Sequence, residues 1–356
     1  MNVMVQKAGA GEILRRIKTV KPALWKPKGC FLVPDADISE AQTLGLIVLA
    51  ISRVIKEKGI TGRVGKTKTA KVAFNVAKKL NLPITRSWYK YGGYVWPQFE
   101  LEDRLNEHRG TLVPSPEARY VESLAFGNQR ELFKQYVQAV EKELPILKED
   151  LSGMLERIYA EDAPKHLQHV YLSHKKMTDR FSKVTEFARS GFPQPVFLPA
   201  SQEITTFHRR ISYFKDRPEV VDLVIETTSL LEDLLITYET NQDDAKKLKE
   251  WVEFFEKSLD FYHRRIWILP ASIMSIETAE GPREREVKEI CEHDLKSSWT
   301  LRNKLEELSD EAFEKGVYPS KSDILAVQER LAVHLGPKET EIRDVFAEAL
   351  RTPGRM

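Results

Sequence analysis

The chain has 356 residues, 42% hydrophobic and 30% charged, with a formal net charge of +2. It is long enough for two domains with their own cores and too apolar to stay disordered. The longest strongly apolar run, Leu46–Ile51, is far too short to cross a bilayer, and no apolar segment with a small-residue cleavage site marks export. Cys30 and Cys291 stand far apart. A disulfide between them stays open, and a reducing cytoplasm is the simpler reading.

Charge is unevenly spread. Residues 1–120 hold 21 Lys and Arg against 10 Asp and Glu, whereas residues 121–356 hold 34 against 43. From Lys58 to Phe99 there is no acidic residue at all. A basic front and an acidic remainder present different fields, so an anionic partner would dock on the first.

Residues 1–29 read as a leader or arm, with Ala8–Gly9–Ala10–Gly11 followed by scattered basic residues, Pro22, Pro27 and Gly29. Asp37 with Glu40 three residues later forms a capping-box pattern, opening a helix to about Glu57 that is apolar on most sides. Gly59 and Gly62 break it. A second helix is predicted from about Lys66 to Leu80, with Val72, Ala73, Val76 and Ala77 on one face and lysines on the other. Leu82–Pro83 stops it. From Ile84 to Val95, bulky aromatics around Gly92–Gly93 suit two short strands and a turn.

The run Lys66-Thr67-Lys68-Thr69-Ala70-Lys71-Val72-Ala73-Phe74, followed by Trp88-Tyr89-Lys90-Tyr91-Gly92-Gly93-Tyr94-Val95, is similar to the pattern of Panacea-type and related winged-helix domains. Ala70 stands where that pattern favours Leu, and Gly93 where it favours Pro. The resemblance covers some thirty residues. It implies a winged-helix-like domain over 30–112 of the kind found in antitoxins and defence-associated regulators.

Residues 113–356 read as an acidic, antiparallel helical bundle. Ser115–Pro116 marks a helix start. Phe133, Val137, Val140, Leu144, Leu147, Leu151, Met154 and Ile158 recur at steps of four and three, a seam for packing within the bundle or for dimerisation. Pro145 predicts a kink or abutting helices there. Further helices are predicted over 163–190, 201–215, 284–308, 321–335 and 339–350. Asp216 with Glu219 opens another, burying Val220, Val224, Leu231, Leu235 and Tyr238; Thr240 caps the next, whose stripe includes Trp251, Phe255 and Tyr262. The fold class is thus mainly α, with a small winged-helix-like front.

No catalytic constellation stands out. Gly59–Thr67 ends in Gly-Lys-Thr, but a phosphate loop needs Gly where Ile60 stands and a preceding strand where Ile51–Lys58 reads as helix. His166, His169 and His174 lack an acidic or thiol ligand at metal-binding spacing. Cys291 and His293 belong to a helix whose neighbouring positions point apart. His208–Arg209–Arg210 and His263–Arg264–Arg265 read as polar helix faces. No metal or cofactor is called for. The basic–aromatic segment is the candidate site: Arg63, Lys66, Lys68, Lys71, Lys78 and Lys79 as phosphate contacts, with Arg86, Trp88, Lys90 and Tyr91 as the wing. Two functions follow as expectations. One is a non-enzymatic regulator that binds nucleic acid, DNA before RNA, with the bundle serving dimerisation or partner binding. The other is an antitoxin-like module that masks a partner protein, with an acidic protein as the partner expected at the basic segment.

Overall fold

A computed structural model describes residues 40–61, 64–96, 106–108, 111–113, 130–190, 196–242 and 244–335. Arg63, Asp37, Cys30, Ser115–Pro116 and the helix expected over 339–350 lie outside the described residues. The protein is mainly α-helical with a small hairpin next to its first helices. Its chain divides into two compact units, 1–158 with 274–290, and 159–273 with 291–356.

In the first unit, α1 (Glu40–Glu57) buries Leu44, Ile47, Ala50, Ile51 and Val54, as its near-continuous apolar sequence requires. Gly59, with φ of +60°, ends the turn that follows it. Helix α2 (Lys66–Lys79) buries Val72, Ala73, Val76 and Ala77. Strands β1 (Arg86–Tyr89) and β2 (Gly92–Val95) pair antiparallel, Arg86 opposite Val95 and Tyr89 opposite Gly92. The two-residue turn is therefore Lys90–Tyr91, and the glycines open β2 instead of forming the turn. Gly93 has a packing reason: a Cβ there would sit 2.5 Å from the Phe74 ring, and Phe74 in turn meets Trp88 edge-on. A second short pair joins β3 (Asn106–His108) to β4 (Thr111–Val113).

The seam over 133–158, expected to kink or divide at Pro145, is three helices: α3 (Arg130–Glu141), α4 (Leu144–Lys148) and the start of α5 (Leu151–Glu161). Pro145 sits in the first turn of α4, where its missing N–H costs nothing. The breaks rotate the stripe, so Val140, Leu147, Met154 and Ile158 are buried while Leu151 is 50% exposed. Helix α3 packs on α1 and α2.

The second unit contains α6 (Lys165–Ser190), α7 (Phe197–Ile211), α8 (Pro218–Thr240) and α9 (Ala245–Phe261). Both expected caps fail. Pro218 begins α8 behind Arg217, and α9 is capped by Asp244, whose carboxylate accepts from the Lys246 and Lys247 amides at 3.1 Å. Thr240 instead bonds back to its own helix through Ile236 O. A π-helical turn, Tyr262–Ile266, follows α9, with Trp267 N reaching Tyr262 O at 2.9 Å. It leads into α10 (Ile268–Thr278), which the sequence pattern did not reveal. The single helix predicted over 284–308 is two, α11 (Glu284–Leu295) and α12 (Ser298–Glu314). Helix α13 (Lys321–Leu335) lies where the pattern predicts it.

Candidate functional site

The basic helix α2 was expected to point its lysines at solvent. Lys68, Asn75 and Lys79 fall at steps of seven and four, one face of a helix. That face meets the segment 143–149. Lys68 donates to the carbonyls of Leu147 and Glu149 at the C-terminal end of α4, where helix carbonyls lack internal partners. Asn75 donates to Glu143 Oε2 at 2.8 Å, and Lys79 pairs with the other oxygen of the same carboxylate. Glu143 is 5% exposed, in the turn between α3 and α4. In the turn that follows α1, Lys58 pairs with Glu141 at 2.7 Å.

Lys71 is the extreme case. It is 3% exposed, and its Nζ donates to Gly93 O at 2.6 Å, tying α2 to β2. Burial pushes its pKa down from 10.5 to about 7. This lysine is a strut of the hairpin.

The hairpin is equally committed. Arg86 is 7% exposed; its Nε donates to Glu280 Oε1 at 2.7 Å and its Nη1 to Leu82 O at 3.3 Å. Backbone bonds in both directions, 2.9 Å each, add Glu280 beside Arg86 as an antiparallel bridge. Trp88 is 4% exposed, and its amide donates to Thr278 Oγ1 at 2.8 Å. Ser87 and Ser275 hydroxyls meet at 2.5 Å, and Trp96 Nε1 donates to Ser87 Oγ at 2.8 Å. Glu40 accepts from Thr85 N at 3.2 Å and Thr85 Oγ1 at 2.9 Å, and approaches Arg283 at 3.5 Å. Burial raises the Glu40 pKa while the Arg283 charge opposes that rise.

Expectation and structure therefore part at named positions. Lys71, Arg86 and Trp88 are buried and cannot be phosphate or base contacts on this surface. Lys68 and Lys79 spend their charge on groups of the chain itself. Lys78 and Tyr91 are exposed, and the Lys90 ammonium lies 5.6 Å from the Tyr91 ring centre. Lys66 begins α2. Pattern alone could not give this result, because the acceptors lie some seventy residues downstream, or in the backbone, where no charge marks them.

Of the other candidates, His174, His208 and Cys291 are packing residues, while His166 and His169 are exposed. His174 is buried and stacks on Trp267, ring centres 3.5 Å apart and 5° from parallel. His208 Nε2 meets Thr228 Oγ1 at 2.6 Å, and burial lowers its pKa to about 4. Cys291 is buried, while His293 two residues on is exposed. Among the described residues, no group of three His, Cys, Asp or Glu side chains could hold a metal ion. A cavity of about 420 Å³ is lined by Tyr238, Trp251, Lys246, Lys247 and Lys315, with Asp244 and Glu250 offsetting the lysines. Among the described residues, no helix is long and apolar enough to cross a membrane.

One surface escaped the sequence reading. Helix α12 turns Leu305, Leu308 and Ala312 inward, yet carries Trp299 and Phe313 at 72% and 77% exposure. Sequence alone assigns such aromatics to a core; only the position of the buried face shows that these two oppose it.

Fold and surfaces together define a mainly α-helical protein with a hairpin-bearing first unit. Residues 127–335 match the family described as "Domain of unknown function (DUF8098)", and the chain belongs to that family. Neither the curated proteins nor the solved structures contain a match.

Proposed function

We propose that this protein is an antitoxin-like protein-binding module, in which the helical bundle masks a partner protein. The reading rests on one observation above all: Trp299 and Phe313 stand about three-quarters exposed on the face of α12 opposite its buried residues. Large aromatics held in water lose the stabilisation that burial gives, and they are the residue types that anchor protein interfaces. The resemblance of residues 66–96 to Panacea-type domains of antitoxins agrees with this role. The internal engagement of Lys68, Lys71, Lys79 and Arg86 occupies three of the six expected phosphate contacts and one residue of the expected wing, which weighs against the rival function. The test is capture of the tagged full chain from its native host after nuclease treatment. A stoichiometric protein partner is expected; recovery of nucleic acid alone, or of nothing, overturns the reading.

A second reading keeps a winged-helix-like first unit that binds nucleic acid through a smaller set, Lys78, Lys90 and Tyr91. Exposure of Lys78 and Tyr91 favours it. A mobility-shift titration with Lys78→Glu/Lys90→Glu should then lose salt-sensitive binding that the wild type shows. Equal retention by both proteins rejects this set of contacts.

A further inference from the structure

The outward face of α12 is more specific than two aromatics. At 100° per residue, Trp299, Asn303, Glu306, Asp310, Phe313 and Glu314 fall within an arc of about 100°. The buried Leu305, Leu308 and Ala312 lie on the other side of the helix. Trp299 and Phe313 are fourteen residues apart, which sets them about 21 Å from each other along the helix. Between and beside them stand three carboxylates.

Among the described residues those carboxylates are unpaired. The neighbouring charges are spoken for: Arg302 pairs with Glu226 at 3.1 Å, Lys304 with Glu307, and Glu311 with both Lys257 and Lys315. Glu306, Asp310 and Glu314 make no ion pair among the described residues. Among the described residues the stripe therefore offers an apolar anchor at each end and, in the middle, negative charge that no ion pair offsets.

Charge then selects the occupant. Nucleic acid and anionic lipid surfaces are repelled by three carboxylates. A second copy of this chain is disfavoured too. Two antiparallel α12 helices that match Trp299 to Phe313 place Glu306 opposite Glu306, and parallel copies oppose every carboxylate with itself. A cationic protein segment suffers neither penalty.

Building on the protein-binding reading above, we infer that α12 docks a basic amphipathic helix of a partner, with apolar side chains meeting Trp299 and Phe313 and Lys or Arg meeting Glu306, Asp310 and Glu314. The geometry is that of two helices side by side, each contributing one stripe. Aromatic contact supplies the anchors, and the carboxylates set partner choice and the rate of encounter.

The probe is a synthetic peptide of about 18 residues with Leu along one helical face and Lys on both flanks, titrated into the full chain by fluorescence anisotropy. Its control carries Glu in place of Lys. The basic peptide should bind with a salt-dependent Kd, and the acidic one should not. Trp299→Ala and Glu306→Lys/Asp310→Lys should each weaken binding about tenfold or more, with circular dichroism unchanged because all three positions are exposed. Equal binding by wild type and both variants overturns the assignment, as does no binding by the wild type. Concentration-dependent dimers in light scattering that Trp299→Ala abolishes would overturn it in favour of a second copy. Failure of this inference is separable from failure of the broader reading: a host partner retained equally by Glu306→Lys/Asp310→Lys leaves protein binding intact and moves it off α12.

Discussion

Lys71→Met should make this protein more stable at neutral pH and remove a pH dependence that the wild type displays. The Lys71 ammonium is buried, 3% exposed, with Gly93 O as its hydrogen-bond acceptor. Its pKa falls from 10.5 to about 7, because burial penalises the charged form. In the unfolded chain the same group keeps its proton up to about 10.5. Between those values the unfolded state holds one more proton than the native state, so stability rises with pH, by about 1.4 kcal/mol per pH unit. Below pH 7 both states are protonated, and the cost of the buried charge, about 5 kcal/mol at most, is present in full. Methionine removes that cost and leaves Gly93 O without its donor, a loss of about 1–3 kcal/mol. The net gain at pH 6 should be about 2–4 kcal/mol. Urea unfolding of both proteins from pH 6 to 9 measures it, and other titrating groups cancel in the difference. The advantage of Met should shrink steadily above pH 7. A difference that stays flat with pH refutes the reasoning, as would a Met variant that is less stable throughout.

Other perturbations have equally definite outcomes. Gly93→Ala drives a methyl into the Phe74 ring and should cost about 1–3 kcal/mol by the same unfolding assay. Glu143→Gln keeps the size of a buried side chain but removes the charge that Lys79 faces, and should lower stability by about 1 kcal/mol, in part restored by Lys79→Met in the same chain. Asp244→Ala deletes the α9 cap and should cost about 1 kcal/mol, read as a lower urea midpoint at unchanged slope. Asp233 has its pKa raised to about 6 by burial while accepting from Tyr318 Oη at 2.8 Å. The native state therefore keeps that proton longer, and stability falls as pH rises from about 4 to 6. Asp233→Asn keeps the bond and should gain about 1–2 kcal/mol at pH 7, with no gain at pH 3.

Much of the fold was legible because period and breakers were strong. Helix α2 and helix α13 match their predicted spans, and the buried stripe of α8 is the predicted one, Val220 through Tyr238. Hydrophobic periodicity reports local geometry, and these helices obey it. Elements that depend on partners distant in sequence were not legible. Nothing near Glu40 in sequence announces its bonds to Thr85 and Arg283, and Thr240 looks like a cap until Asp244 proves to be one. Helix α10 carries Pro270 and little polar–apolar alternation, so periodicity gave it no face. The lysine-rich face of α2 misled for a related reason. A run of lysines without acids predicts solvent exposure only if the charges find no acceptor elsewhere, and Glu143, Leu147 O and Gly93 O supply three. The α12 stripe was missed conversely, since Trp299 and Phe313 have the composition of a core.

Lysine accessibility tests the central claim directly: the cations of α2 serve the chain's own fold. Brief amine acylation of the native protein, read by mass spectrometry, should modify Lys78 fast and leave Lys71 untouched until the protein is unfolded. Lys71 labelled as fast as Lys78 would mean that α2 presents its charge to solvent, and would restore that face as a docking surface for an anionic partner.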